Sequence, residues 1–186
     1  YRSFFSDDNA HLLALNALEE TYAKEEVILF VMAPENEQVF TKENLEAVQW
    51  LTTEAWQLTY GTRVDSITSY QHSYADGDDI IIEDLVPDDR ELTPEVIATI
   101  RETALNEPSL VSRIISPKGH VTAVAATLVL PGLDAGERVM PIQDARDLEA
   151  RFEAKYPTID LRLTGGAVLS MMFTEYTQSD MGLLTP

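Results

Sequence analysis

The chain has 186 residues, 45% of them hydrophobic, with 32 acidic against 13 basic side chains and a formal net charge of −19. That apolar share can fill one core, or two small ones that share an interior, and it excludes a disordered chain. The acidic balance argues against nucleic acid and anionic lipid surfaces, because both are held by lysine and arginine that displace counterions. The lack of cysteine removes disulfides, thiol nucleophiles and zinc–thiolate sites. No apolar run reaches the roughly 18 residues a membrane span needs.

Asp7, Asp8 and Asn9 offer N-cap oxygens to a helix over residues 10–24, with Leu12, Leu15, Leu18 and Tyr22 at helical spacing. Residues 27–32 are a continuous apolar run, expected as a strand covered on both faces and stopped by Pro34. Thr41 opens a variant capping box for the next helix, with Leu45, Val48, Trp50, Leu51 and Trp56 on its buried side and Gly61 at its C-cap. Residues 64–68 read as a strand, 69–79 as a polar loop and 80–82 as a short strand. Thr93 and Pro94 start a helix that ends near Asn106 and buries Val96, Ile97, Ile100 and Leu105. Residues 111–116 and 121–130, joined by Pro117-Lys118-Gly119, read as a β-hairpin. Helices are expected over residues 143–155 and 166–179, with a strand over 159–163 between them.

A strand–helix–strand pattern thus occurs twice. The first copy is VILFVMAP (27–34), FTKENLEAVQWLTTEAWQ (40–57) and RVDSIT (63–68). The second is VTAVAATLVLP (121–131), MPIQDARDLEARFEAKY (140–156) and IDLRL (159–163). The expected class is α+β: duplicated βαβ units forming ferredoxin-like subdomains, with helices packed on mixed sheets. The expected halves are residues 25–90 and 91–165, flanked by helices over 8–24 and 166–180. The chain opens on Tyr1 and closes on MGLLTP, and it is expected to be a loop belonging to a longer polypeptide.

Catalytic patterns are sparse. His11, His72 and His120 lack the H-x-x-x-H or H-E-x-x-H spacing of a metal site. Asp76, Gly77, Asp78 and Asp79 lack the alternating order of a calcium loop and its closing glutamate, so they read as a solvated acidic turn. There is no G-x-S-x-G elbow, and Gly165-Gly166 lacks the further glycine and the lysine of a phosphate cradle. No catalytic residue, metal or cofactor is expected. The side chains that could make an apolar ligand wall are Trp50, Trp56, Met171, Met172 and Phe173, the methionines being pliable enough to serve either as core or as a surface for a greasy ligand.

Four stretches carry a family resemblance by their succession: residues 4–56 (FFSDDNAHLL to LTTEAW), RVDSITSYQHSYADGDDIIIEDLVPD (63–88), LVSRIISPKGHVTAVAATLVLP (110–131) and LTGGAVLSMMFTEYTQSDMG (163–182). Together the chain resembles the first large extracytoplasmic loop of exporters of the resistance-nodulation-division superfamily, nearest the MMPL-type, hopanoid-exporter-like branch. The resemblance implies a periplasmic loop of a bacterial inner-membrane protein. It implies a proton-driven exporter of hydrophobic or amphiphilic molecules (lipid, hopanoid or drug class), with the proton relay in transmembrane helices outside this chain. The implied partners are a hydrophobic small molecule or lipid, the protein's own membrane region and second periplasmic loop, and further copies of the full-length protein. A free-standing extracytoplasmic module that binds a ligand or protein without transport is the alternative.

Overall fold

The computed structural model describes residues 6, 9–14, 25–132, 136–173 and 176. In chain order its elements are β1 (Glu25–Pro34), α1 (Lys42–Ala55), β2 (Gly61–Asp65), β3 (Gln71–Asp76), β4 (Asp79–Asp84), α2 (Pro94–Asn106), β5 (Thr122–Val129), α3 (Val139–Lys155) and β6 (Ile159–Thr164). Residues 10–14 and 166–173 are also helical. The fold is α+β, as its sequence pattern suggests.

The main sheet has the order β2-β5-β1-β6, and each neighbouring pair in it is antiparallel. β1 and β2 therefore run the same way with β5 between them, while β5 and β6 run the same way with β1 between them. Each βαβ copy is a split unit, and the two interlock into a single sheet. Without the segment between β2 and β5, the order is that of the β-α-β-β-α-β split arrangement. Residues 25–90 and 91–165 contribute alternate strands. Interlocking is also why the main sheet is antiparallel where mixed pairing was expected.

α1 and α3 pack against one another and against strands of this sheet. On β1 the side chains of Ile28, Phe30 and Met32 are fully buried, whereas Val27, Leu29 and Val31 between them are half-buried. The run is covered tightly on one face only, a departure from the two-sided burial its unbroken apolarity suggests. Phe30 sits opposite Val124 on β5 and Leu163 on β6. Leu45, Val48 and Leu51 of α1 and Ile142, Leu148 and Phe152 of α3 complete this layer. Each such side chain contributes about 1.5–3 kcal/mol by leaving water.

The helix starts follow local chemistry. The Thr41 side chain accepts the Asn44 N–H at 3.2 Å, and the Asn44 amide donates to the Gln38 carbonyl at 2.6 Å. Thr93 accepts the Val96 N–H at 3.4 Å, with Pro94 in the first turn. Asn9 caps the first helical turn by accepting the N–H groups of His11 and Leu12. The remainder of the expected 8–24 helix, and residues 174–175 and 177–180 of the expected C-terminal one, lie outside the described residues.

Three segments differ from expectation. The left-handed residue after α1 is Tyr60 (φ 64°), not Gly61, which instead begins β2. Gly61 is required there for space: a Cβ would lie 2.9 Å from the Leu58 carbonyl oxygen. The polar stretch after β2 contains β3, paired with β4 from Gln71 opposite Asp84 to Asp76 opposite Asp79. Gly77, at φ 63°, makes the two-residue turn that tight hairpins demand. Residues 111–116 are a coil held by isolated bridges, Val111 with Ile115 and Ile115 with Thr122, rather than a hairpin strand.

Candidate functional site

The expected ligand wall is dispersed. Trp50 is half-buried between α1 and α3, its ring centre 6.1 Å from Phe152 and 5.9 Å from Tyr156. Lys155 Nζ lies over it at 4.6 Å, a cation–π contact. Trp56, six residues on, is 49% exposed and borders a polar cleft with Gln49, Thr52, Asp84 and Asp88. Met171 packs partly buried against the core, Met172 is 37% exposed, and Phe173 is 75% exposed.

Met172 alone of the five joins a mixed apolar and charged cleft, of about 490 Å³, whose wall includes Leu163, Val168 and Tyr176. Arg146, Arg162 and Glu149 stand at the same cleft. Burial pushes the Glu149 carboxyl above its ordinary range, and the neighbouring Glu153 adds to this. Arg162, the Leu163 N–H and Arg146 pull the other way.

A second cleft, of about 330 Å³, separates the β3–β4 hairpin from α2. Its apolar floor is Leu85, Val96 and Ile100, with Thr99 and Thr103 beside them on α2. The hairpin contributes His72 and Tyr74, stacked with ring centres 5.7 Å apart and planes 23° apart. The Tyr74 hydroxyl donates to Glu83 at 3.1 Å, and Arg90 donates to both Glu83 oxygens at 2.9 and 3.1 Å. The Glu83 hydrogen bond raises the Arg90 pKa further, so this guanidinium stays charged. An apolar floor with a few fixed polar groups at one side suits an amphipathic small molecule. The sequence pattern marked His72 only as a rejected metal ligand and did not single out Tyr74 or Arg90. The Asp76-Gly77 pair was the available signal, because a D-G turn implies a hairpin and therefore a face.

Ser116 and His120 form a hydrogen-bonded pair, Oγ to Nδ1 at 3.0 Å. Ser116 Oγ also accepts the N–H groups of His120 and Val121 at 3.1 Å each. A hydroxyl engaged by two backbone donors in a turn is braced rather than activated, and no carboxylate orients His120 among the described residues. Among the described residues no group of three or more His, Asp or Glu side chains is placed to hold a metal ion. Nor is any described helix long and apolar enough to cross a membrane.

Searches against protein-family models, curated proteins and solved structures each found no match to this chain.

Proposed function

We propose that the chain is the extracytoplasmic substrate-handling domain of a proton-driven exporter of hydrophobic or amphiphilic molecules, of the resistance-nodulation-division type. The supporting observation is the relation of its entry and exit strands. β1, by which the chain enters the main sheet, and β6, by which it leaves, are antiparallel neighbours, with Leu29 opposite Thr164. The two connections therefore emerge side by side at one end of the sheet. A domain carried between two neighbouring membrane spans needs that arrangement. The interlocked sheet can move as one rigid body, which is what alternating access asks of a porter domain. The cleft between the hairpin and α2 supplies an apolar floor for cargo.

The reading frame that contains this segment tests the proposal directly. The expected result is an apolar run of about 20 residues close to each side. A complete frame with no such run on either side overturns it.

A second reading, a free-standing module that docks on another protein, is favoured by one observation. Ile80 and Ile82 on the outer face of the hairpin are 77% and 64% exposed. That reading holds if the complete frame lacks membrane spans and the Ile80→Thr/Ile82→Thr double variant loses a partner bound by the unaltered protein.

A further inference from the structure

A third cleft, of about 410 Å³, lies over the outer edge of the main sheet, where β2 and β5 meet the 107–115 segment. Two arginines line it, Arg63 on β2 and Arg113 on the segment, with one carboxylate, Asp65, beside Arg63. In a chain with 13 basic against 32 acidic side chains, a lining with two cations against one anion runs against the overall charge. We propose that this cleft binds a small oxyanion, a phosphate or carboxylate, presented as the headgroup of an amphiphile.

The donors are available for such a group. Among the described residues the Arg113 guanidinium has no acidic partner within salt-bridge distance. Arg63 pairs only with Asp65, two residues along the same strand, at 2.8–2.9 Å. Both members of that pair are exposed, 71% and 39%, so it is screened and readily exchanged for a better acceptor. A carboxylate on the same segment, Glu107, already takes the Ser109 N–H at 3.0 Å and the Ser109 hydroxyl at 2.8 Å. It is not among the residues that line the cleft.

The backbone at Arg113 is also held in place. Ser112 adopts φ 63°, in the left-handed region that side chains other than glycine rarely enter. The Leu110 carbonyl accepts N–H groups from Arg113, Ile114 and Ile115 at 2.8–3.2 Å, and Ser112 N–H donates to Ile115. The Ile114 carbonyl in turn takes the Ala123 N–H and the Thr122 hydroxyl, tying the segment to β5. A backbone fixed this way has no freedom of its own to lose when an anion binds the side chain. Leu110, Ile114 and Ala125 make the apolar part of the lining, and Ala125 is paired with Leu29 across the sheet. These three side chains would receive the start of an alkyl chain. The proposal does not depend on membrane transport and stands or falls separately from it.

The test titrates the full 186-residue chain by calorimetry at low salt with sodium phosphate, sub-micellar dodecyl phosphate and sub-micellar dodecyltrimethylammonium. One-site binding of dodecyl phosphate is expected. Arg113→Gln and Arg63→Gln should each weaken it about tenfold, as loss of a charge-assisted contact does. Arg101→Gln, on the exposed side of α2, should leave it unchanged. Asp65→Asn should tighten binding several-fold by releasing Arg63, a gain that a damaged fold cannot produce. If inorganic phosphate binds as tightly as the dodecyl ester, the oxyanion site stands and its ligand is the free ion, which overturns the amphiphile part. Absence of dodecyl phosphate binding, equal binding of the cationic detergent, or indifference to both arginine substitutions overturns the site.

Discussion

Gly165 lies directly against the backbone carbonyl of Val27: a Cβ at that position would sit 2.2 Å from the carbonyl oxygen. The contact joins the end of β6 to the start of β1, where both strands open onto the flanking segments. Gly165 also has φ 109°, a conformation closed to side chains. Gly165→Ala should therefore destabilise the fold by about 3 kcal/mol or more, combining backbone strain and overpacking. Gly166→Ala is the control. Nothing lies within 4 Å of its missing Cβ, and the residue is helical, so the change should be neutral or stabilising by up to about 1 kcal/mol. Urea unfolding of the two variants decides this, and equal midpoints would contradict the packing described.

Glu26 on β1 and Arg138 ahead of α3 form an ion pair across 112 residues of sequence, with Arg138 Nε at 2.9 and 3.0 Å from the two carboxylate oxygens. The Glu26 side chain is only 9% exposed. Arg138→Met should cost about 2–3 kcal/mol, because it strands a buried carboxylate. Restoring neutrality in the Glu26→Gln/Arg138→Met pair should recover at least about 1 kcal/mol of that. Chemical denaturation of the double-mutant cycle measures the coupling, and strictly additive effects would mean the pair stabilises nothing.

α1 and α2 were legible because their starts are local events: Thr41 and Thr93 cap by reaching three residues ahead, and Pro94 cannot sit deeper in a helix. β1 and β5 were legible as apolar runs. Their place in the sheet was not, since Phe30 meets Val124 and Leu163 through pairings that no short window contains. β3 was missed because its hairpin stands clear of the core and carries polar residues on both faces, leaving no alternation to read. The dispersal of the ligand wall has a similar cause. Trp56 falls one residue past the end of α1, where helical register no longer decides which side is covered. The clustering of Arg63 with Arg113 depends on Ser112 taking a left-handed turn, which serine does not announce.

The raised pKa of Glu149 fixes the sign of one pH effect. Burial and Glu153 make the folded chain hold this proton above the ordinary value of 4.5. The folded state then binds more protons than the unfolded one between the two pKa values, so the contribution of Glu149 is fully present below pH 4.5 and is lost as pH rises through its folded value. At neutral pH its charge works against folding, while Gln keeps an oxygen to accept the Leu163 N–H. Glu149→Gln should accordingly raise Tm modestly at pH 7, with the gain fading as pH falls through the folded value and gone below 4.5. Thermal melts at several pH values test this, and a gain that grows on acidification would reverse the assignment.

The two tryptophans should separate cleanly in one experiment. Trp50 contacts Phe152 and Tyr156 and lies under Lys155, so Trp50→Ala removes aromatic packing between α1 and α3. A cost of about 2–3 kcal/mol follows, below that of a fully buried tryptophan because the ring is only half-covered. Trp56 is 49% exposed beyond the last turn of α1, and Trp56→Ala should stay within about 0.5 kcal/mol of the parent. Acrylamide quenching gives an independent reading of the same geometry. The Trp56→Phe protein, reporting Trp50 alone, should quench less steeply than the Trp50→Phe protein, which reports Trp56. If ligand binding at the hairpin cleft perturbs the signal, the change should come chiefly from Trp56, because Trp56 and that cleft both border Asp84. A response carried by Trp50 would instead require α1 and α3 to shift against each other and would place the bound molecule elsewhere.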